Sequence, residues 1–446
     1  MKKSIWIGLA ILISINGFML MYAKSSADRT CEEGEALVCF DENEVAYHIE
    51  ENAHVNVEVV NAEYGEALVA LFNERHPENV GALTYTVGSS TESDIKFVSI
   101  IQALFKMNDW YELEDSEHFN TLDKVASEIN YSTDLFVPMN GDGFAFITNL
   151  DRLTEFEIST EDLNNDGLVD AVDDFTKIQT VFQDQTSSSY IMHLSLNEPY
   201  VFYPFLTAGG WKLFEENSAY APGFEKDSFL ESLTFIENIS KYKWNGTEAL
   251  PSSEYDWDYV SAMEKNDFVF SLVASWMFVD SLEAKIEGNW QVSHLPSMDS
   301  ESSVLSPLLT NVSGYVIKKD VKYPSLAHEV LRLIRSTKGI SAFMSNTSLI
   351  PLAPLNVLNQ TQMEDNTKLE FAKALSYGQT EPLIAFENDP TLSAYSLYYG
   401  IDIMPIIQRL WDGEISAYQA QIEICTRSDT WLYQHELKIQ NSGLSQ

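Results

Sequence analysis

The chain has 446 residues, 45% of them hydrophobic and 12% aromatic, which suits two domains with separate cores and argues against a disordered chain. Its 67 acidic and 27 basic residues leave a formal net charge of −40. This charge argues against nucleic acids and anionic membrane surfaces as partners, because both would repel the protein. Such acidity is typical of a protein adapted for solubility or for a salty or acidic medium.

The N-terminus has the pattern of an export signal. Two lysines precede an apolar run at 5–23, and Ala23 and Ala27 offer small residues for cleavage. The run is also nearly long enough to span a bilayer, so an uncleaved anchor is the alternative. We therefore predict a signal peptide or N-terminal anchor at 1–27 and an acidic spacer at 28–53. The body should lie outside the cell or at its surface.

Three cysteines bear on this expectation of export. Cys31 and Cys39 lie close together near the N-terminus, whereas Cys425 is distant. In an oxidising compartment the first two can form a disulfide, and the alternative is that all three remain thiols. The sequence leaves both possibilities open.

The body alternates between strand and helix patterns. Residues 56–61 alternate as in a strand, apolar positions follow at helical spacing over 67–72, and further strands are predicted at 83–87 and 93–98. The pattern continues through a helix, two strands and a helix at 229–239, 268–273, 314–317 and 328–335. The last third is mainly helical. This order predicts an α/β protein.

Several short segments resemble one known family in their order along the chain. The most distinctive is SLNEPYVFYP at 195–204, which is followed by AGG. The others are VNAEYG at 60–65, FVPMN at 136–140, NLDRL at 149–153, SWMF at 275–278, HLP at 294–296 and SGYVI at 313–317. Together they resemble the extracellular solute-binding proteins of ABC sugar importers, the family of maltose-binding protein, from about residue 56 to about residue 420.

The resemblance implies a two-lobed periplasmic-binding-protein-like fold of type II, with two α/β lobes joined by a hinge. The first lobe would comprise 54–141 and about 305–352, and the second 142–304 and about 353–436. It further implies a monomeric, non-enzymatic protein that captures a small solute, a sugar above all, and delivers it to an ABC transporter permease.

A sugar site needs aromatic rings for the apolar ring faces and fixed polar groups for the hydroxyls, and carboxylates suit the second task. The resemblance places these roles on Glu63, Tyr64, Asp142, Glu198, Tyr200, Trp276, Tyr398 and Tyr399. The loop at 94–102 is apolar where the family often carries an aromatic and a charged pair. Part of the maltose site is therefore absent, and the identity of the solute stays open.

Residues 162–173, DLNNDGLVDAVD, have the ligand spacing of an EF-hand calcium loop, with Gly167 at the sharp turn. The predicted ligands are Asp162, Asn164, Asp166, the carbonyl of Leu168, Asp170 and Asp173. The closing Asp resembles dockerin loops, but a dockerin needs two such loops and we find one. We predict a structural calcium ion that pins an insertion in the second lobe. The alternative is an acidic turn that caps the next helix.

No sequence pattern indicates catalysis. The chain has no HExxH motif, no GxSxG elbow and no glycine-rich phosphate loop, so we predict no catalytic residue. Two alternatives to a binding protein remain. One is a secreted glycoside hydrolase, which would work with a pair of carboxylates. The other is a calcium-dependent cell-surface adhesion protein.

Overall fold

The fold is described from a computed structural model. The described residues are 38–41, 45–113, 119, 135–182, 190–193, 199–213, 221–240, 268–277, 288–362, 366–380, 385–386 and 389–442. The predicted leader at 1–27 lies outside them. Within these ranges, no helix combines the length and apolar composition needed to cross a bilayer.

The secondary structure alternates between strands and helices through most of the chain. The strands are β1 (Phe40–Asp41), β2 (Ala46–Tyr47), β3 (Val55–Val59), β4 (Leu83–Val87), β5 (Ile95–Ser99), β6 (Val137–Asp142), β7 (Phe144–Asn149), β8 (Tyr190–His193), β9 (Phe268–Ala274), β10 (Trp290–Ser293), β11 (Leu308–Ile317), β12 (Gln379–Thr380), β13 (Ala385–Phe386) and β14 (Asp389–Ser393). The helices are α1 (Ala62–Arg75), α2 (Ile100–Phe105), α3 (Leu150–Glu155), α4 (Phe175–Phe182), α5 (Pro199–Leu206), α6 (Asp227–Ser240), α7 (Ser275–Met277), α8 (Pro324–Ile334), α9 (Thr337–Asn346), α10 (Leu355–Leu358), α11 (Asn366–Leu375), α12 (Ala394–Gly400), α13 (Met404–Trp411) and α14 (Ala417–Ser442).

The first lobe is built on a sheet of strand order β12-β11-β5-β3-β4, in which β6 also pairs with β11. Strand β3 lies parallel to β4 and β5, and its three valines are buried, as expected for a strand covered on both sides. Helix α1 begins at Asn61, whose side chain accepts a hydrogen bond from the Tyr64 N–H. Leu68 and Phe72 then point into the core, so this helix covers the sheet.

The second lobe is built on a sheet of strand order β10-β7-β9-β8. Phe146 on β7 and Phe270 on β9 stack with ring centroids 5.3 Å apart. Helices α6, α13 and α14 pack against one another in this lobe. The indole of Trp211 is completely buried and lies 4.9 Å from the ring of Phe229 on α6. Aromatic packing therefore dominates this core.

The chain crosses between the lobes at Gly143, the single residue between β6 and β7. A Cβ atom there would lie 2.6 Å from Leu375 Cδ2 and 3.2 Å from Leu309 Cδ2, so a larger residue would require these leucine side chains to move. The chain returns through residues 294–307, the return segment, which leads from β10 of the second lobe to β11 of the first. The chain thus crosses more than once between its lobes.

The predicted acidic spacer is wrong for its C-terminal part. Strands β1 and β2 form an antiparallel hairpin, and β2 packs on α8 of the first lobe. Tyr47 is only 2% exposed, and its ring centroid lies 5.4 Å from that of His328. The segment is ordered because an aromatic ring inside the hairpin has a buried surface to pack on.

One of the three cysteines lies at the start of this hairpin. Cys39, just before β1, is disulfide-bonded, whereas Cys425 on α14 is a free thiol. Cys31 lies outside the described residues. The backbone N–H of His48 donates to the Cys39 carbonyl at 2.8 Å, so the disulfide is attached directly to the base of the hairpin.

Candidate functional site

Three aromatic rings meet where the two lobes join. Phe144 begins β7, Tyr200 lies in the first turn of α5, and Trp276 lies in α7 directly after β9. The Tyr200 and Trp276 rings are stacked at 5.8 Å with an interplanar angle of 23°, and Phe144 lies 4.8 Å from Tyr200. Trp276 is 46% exposed although Tyr200 is almost buried. The indole of Trp276 therefore packs against the buried ring of Tyr200 and is itself partly exposed to solvent.

A carboxylate lies beside these rings. Asp142 ends β6, and its Oδ1 accepts a hydrogen bond from Ser275 Oγ at 3.1 Å. Its Oδ2 accepts one from Asn311 Nδ2 at 2.9 Å. The hydroxyl groups of Thr310 and Tyr200 lie 3.4 Å apart. Both oxygens of Asp142 are thus held in place, one by Ser275 of α7 and the other by Asn311 of β11.

Ser275 connects the carboxylate to the indole. Its Oγ also accepts from the Gly143 N–H at 3.2 Å, and its own N–H donates to the Gly143 carbonyl at 2.9 Å. Because Trp276 is the next residue, these bonds position the indole relative to the crossing strand. We call Asp142, Phe144, Tyr200, Ser275, Trp276, Thr310 and Asn311 the junction cluster.

The sequence missed part of the junction cluster. Phe144 and Ser275 were not proposed, although Ser275 lies inside the SWMF segment. Thr310 and Asn311 carry no sequence signal, because β11 shifts register against β6 between Thr310 and Ser313 and such a shift depends on pairing with a distant strand. Asn311 has a φ of +50°, as expected at an irregularity of this kind.

Two predicted residues of the first lobe, Glu63 and Tyr64, lie in the first turn of α1. Glu63 is exposed in the first turn of α1. Tyr64 is completely buried, with its ring 5.2 Å from that of Phe343, and burial raises the pKa of its hydroxyl. The prediction of Tyr64 as a binding residue is therefore wrong, since adjacent helical residues point in different directions and only Glu63 faces solvent.

Of the remaining predicted residues, Tyr398 supports α5 instead of lining a surface. Tyr398 is completely buried, and its hydroxyl donates to the Pro199 carbonyl at 2.7 Å, one residue before Tyr200. Tyr399 is half-buried, with its ring 5.3 Å from that of Tyr398. Tyr398 thus fixes the start of the helix that carries Tyr200. Glu198 lies outside the described residues.

Comparison with solved structures identifies the architecture. The maltose-binding periplasmic protein of Listeria monocytogenes, in complex with maltose, is 13% identical, over 86% of this chain and 99% of that one, with a TM-score of 0.60. An extracellular solute-binding protein of Staphylococcus aureus, also in complex with maltose, is 11% identical over 86% and 99%, with a TM-score of 0.62. A cyclo/maltodextrin-binding protein complexed with maltotetraose is 15% identical over 86% and 98%, with a TM-score of 0.60. No model of a protein family and no curated protein matches the sequence.

This chain has the fold of the maltose-binding proteins. The similarity confirms the predicted two-lobed α/β class and extends over nearly the full length of the solved chains. In this fold the junction cluster occupies the place where the two lobes meet.

The acidic loop, residues 162–173, joins α3 to α4 in the second lobe. The chain reverses at Gly167, where φ is +93°. Asp162 Oδ2 accepts a hydrogen bond from the Gly167 N–H at 3.0 Å, and Asp170 Oδ1 accepts one from the Leu163 N–H at 3.0 Å. The carboxylates therefore turn inward toward the backbone of their own loop.

Two carboxylate oxygens in the acidic loop have no protein partner. Oδ1 of Asp162 and Oδ1 of Asp173 are shielded from solvent and accept no hydrogen bond from any described residue. Lys177 Nζ donates to the other oxygen of Asp173, Oδ2, at 2.8 Å and to the Asp170 carbonyl at 3.1 Å. Burial raises the pKa of Asp173 against the effect of Lys177, and the charges of Asp166 and Asp170 raise it further. The loop holds more negative charge than its own donors neutralise.

The other predicted ligands of the acidic loop are bonded to one another. Asn164 Oδ1 accepts from the Asp166 N–H at 2.9 Å, and Asp166 Oδ1 accepts from the Leu168 N–H at 2.8 Å. In the part of the chain that the structure describes, no three His, Cys, Asp or Glu side chains form a ready metal-binding group. An EF-hand loop also uses an amide oxygen and a backbone carbonyl, which such a group does not include.

The acidic loop is fastened to the return segment. The Ser297 N–H donates to the Asp173 carbonyl at 3.1 Å, and the Phe175 N–H donates to the Ser297 carbonyl at 3.0 Å. His294 Nε2 lies 3.9 Å from Asp166 Oδ1. The loop is therefore in direct contact with the second connection between the lobes.

Proposed function

We propose that this protein binds a carbohydrate at the junction cluster, outside the cell, and delivers it to an ABC import permease. The observation that carries the proposal is the exposed indole of Trp276, stacked on Tyr200 and placed beside the fixed carboxylate of Asp142. The solved neighbours were captured with maltose or maltotetraose, which supports a saccharide as the ligand class.

The chemistry of the cluster fits a sugar ring. An exposed indole offers a flat surface to the apolar C–H face of a pyranose, and contact removes water from both. Each oxygen of Asp142 accepts one protein hydrogen bond, yet a carboxylate oxygen has two lone pairs. Each oxygen can therefore also accept a sugar hydroxyl while Ser275 and Asn311 hold the carboxylate in place.

The two crossings provide the hinge for capture. Closing the lobes about Gly143 and the return segment would cover Trp276 with the first lobe and exclude water from the bound sugar. Hydrogen bonds to Asp142 strengthen in this drier environment, so the closed form holds the solute more tightly. Closure would also present the two lobes together to the permease.

A glycoside hydrolase fits this cluster less well. Hydrolysis needs two carboxyl groups at a fixed separation, and among the described residues of the cluster Asp142 is the one acid. Incubation with oligosaccharides should therefore produce a thermal shift and no new reducing ends. A calcium-dependent adhesion protein would instead bind a partner protein and show no saturable binding of small solutes.

The binding proposal is tested by calorimetry with a saccharide library that includes maltose and maltotetraose. At least one saccharide should bind saturably, and Trp276→Ala should weaken its binding by about 100-fold, because an aromatic platform contributes a few kcal/mol. Tyr418→Ala, which removes another exposed ring on α14, is the matched control. If no saccharide binds, or if folded Trp276→Ala binds as tightly as the wild type, the junction cluster is not a sugar site.

Delivery and export require measurements in cells. Cells that lack the protein should take up the bound saccharide more slowly, and restoring the wild-type chain but not Trp276→Ala should restore uptake. The mass of the exported protein separates a cleaved leader from an N-terminal anchor. Normal uptake without the protein would contradict a role in import.

We propose in addition that the acidic loop binds a calcium ion with a structural role. The observation that favours it is the pair of shielded, unpartnered oxygens on Asp162 and Asp173, the first and last positions of the EF-hand spacing. Asn164, Asp166, the Leu168 carbonyl and Asp170 would complete the set of hard oxygen ligands. The ion would neutralise the excess charge of the loop and hold it against the return segment.

Calcium binding is measured by titration calorimetry on metal-free protein. One site should be found in the wild type and lost in Asp162→Asn, whereas Asp320→Asn, which removes an exposed acid in the first lobe, should bind as before. Absence of calcium binding, or binding that Asp162→Asn leaves unchanged, would remove the ion from the loop.

A further inference from the structure

A cavity separate from the junction cluster lies between the two lobes, since its wall includes residues that follow α5 and Gln379 of the first-lobe strand β12. It has a volume of about 410 Å³ and opens between residues 207–212, which follow α5, and the end of the return segment at 302–306. The side chain of Gln379 lies between them, with Nε2 donating to Thr207 Oγ1 at 3.0 Å and to the Ser306 carbonyl at 3.2 Å. No residue of the junction cluster lines this cavity. It is therefore a distinct binding volume of the size that small-molecule sites have.

Part of the polar wall of this cavity is already used by the fold. Besides Gln379 and Thr207, the hydroxyl of Ser302 donates to Asp299 Oδ1 at 2.7 Å. Four other polar side chains of the wall form no hydrogen bond or ion pair with any described residue, and these are Lys212, Glu231, Ser303 and Ser306. One cation, one anion and two hydroxyls thus remain available to a ligand.

The exposed ammonium group of Lys212 forms no ion pair with any described residue. Several described lysines reach a carboxylate, namely Lys96, Lys177, Lys318, Lys338 and Lys373. Lys212 reaches none, although the chain carries a net charge of −40 and Glu231 lines the same cavity. Lys212 and Glu231 therefore present opposite charges to one volume without neutralising each other.

We propose that this cavity binds a small zwitterion of the amino-acid type, with its carboxylate on Lys212 and its ammonium group on Glu231. Charge-assisted hydrogen bonds of this kind are the strong ones, and each would use a group that has no other partner. Ser303 and Ser306 would bind neutral polar atoms of the ligand. A simple anion fits poorly because Glu231 and the net charge repel it, and a neutral polyol would leave both charges unpaired.

Calorimetry with glycine, L-serine and L-glutamine tests this proposal, with sorbitol and acetate as comparison ligands. At least one amino acid should bind saturably, whereas sorbitol and acetate should not. Lys212→Met and Glu231→Gln should each weaken binding by about tenfold or more, since each removes one charged partner. Lys319→Met and Glu225→Gln change exposed charges elsewhere and should bind as the wild type does.

The outcome is independent of sugar binding. Trp276→Ala should leave amino-acid affinity unchanged, so failure at the junction cluster and failure at this cavity are told apart. The proposal is overturned if none of the three amino acids binds, if sorbitol or acetate binds as tightly, or if both cavity variants bind with wild-type affinity.

Discussion

Carboxylate oxygens are shielded from solvent both at Glu329 and in the acidic loop, but only at Glu329 do they all have hydrogen-bond partners. In the first lobe, Glu329 on α8 is completely buried and both of its oxygens are bonded by the protein. Oε1 accepts from His76 Nε2 at 2.8 Å and from Arg332 Nη2 at 2.6 Å, and Oε2 accepts from Arg332 Nε at 2.7 Å and from the Tyr47 N–H at 3.0 Å. In the acidic loop, Asp162 and Asp173 each keep one shielded oxygen without a partner.

The difference lies in where the positive charge comes from. Burial opposes ionisation of Glu329, yet the hydrogen bonds from Arg332 and His76 hold its pKa below the usual range. At Asp173 burial prevails and the pKa is raised, although Lys177 is nearby. The first lobe therefore supplies the cation for Glu329 from its own chain, as Arg332. The acidic loop has the form of a site that depends on a cation from solution.

The largest expected loss of stability is at Glu329, whose oxygens are bonded by groups of the protein itself. Glu329→Gln would leave the largely buried Arg332 without its carboxylate, and breaking a buried pair in this way costs about 3–5 kcal/mol of unfolding free energy. Urea unfolding measures the loss. Glu74→Gln, which breaks the exposed pair with Lys338, is the control and should cost no more than about 1 kcal/mol. Equal losses in both variants would show that the hydrogen bonds around Glu329 contribute no more to stability than an exposed ion pair does.

Acid should weaken the same region. Burial lowers the pKa of His328, next to Glu329, to about 4, while its Nδ1–H donates to the Pro324 carbonyl at 2.6 Å. The unfolded chain therefore binds a proton between pH 6.5 and 4 that the folded chain does not, so stability falls as the pH falls through this window, by up to about 3 kcal/mol. The lowered pKa of Glu329 adds a further loss at more acidic pH.

Urea unfolding across this pH range checks the expectation. His328→Phe removes the titrating group but keeps a ring beside Tyr47 and Tyr111, so the slope between pH 6.5 and 4 should become shallower whatever its effect on absolute stability. His54→Phe, which changes an exposed histidine of the same lobe, should keep the wild-type slope. An unchanged slope in His328→Phe would assign the acid sensitivity to other groups.

The fold was predictable where its signals are local. Periodicity predicts strands at 56–61, 83–87 and 93–98, and the structure has Val55–Val59, Leu83–Val87 and Ile95–Ser99. The hairpin was missed because its contacts are distant in sequence. The bond from Tyr47 to Glu329 spans 282 residues, and no pattern near Tyr47 indicates that a helix so far away will cover it.

The candidate site likewise contains residues that local sequence signals predict and residues that they do not. Tyr200 and Trp276 lie in short segments with a family resemblance, and both are in the junction cluster. Tyr64 was predicted from the same kind of signal but lies in the core, since a motif does not say which of two adjacent helical residues faces outward. Asn311 depends on the register shift between β11 and β6, which only the assembled sheet defines.

The acidic loop offers the most direct test of the comparison. The expected change in unfolding free energy is smaller here, and what matters is whether it depends on calcium. At a calcium concentration about 100-fold above Kd, the ion should stabilise the wild type by about 2.7 kcal/mol, and a chelator should remove that gain. Asp162→Asn should lose the calcium-dependent gain entirely. In chelator the same variant should lie within about 0.5 kcal/mol of the wild type, because it removes one of several repelling charges and keeps an oxygen for the Gly167 N–H.

The control for this prediction is Glu329→Gln, which should be equally destabilised with and without calcium. If Asp162→Asn costs the same in calcium and in chelator, then the two regions do not differ in the way proposed, and the unpartnered oxygens of the loop are tolerated without an ion.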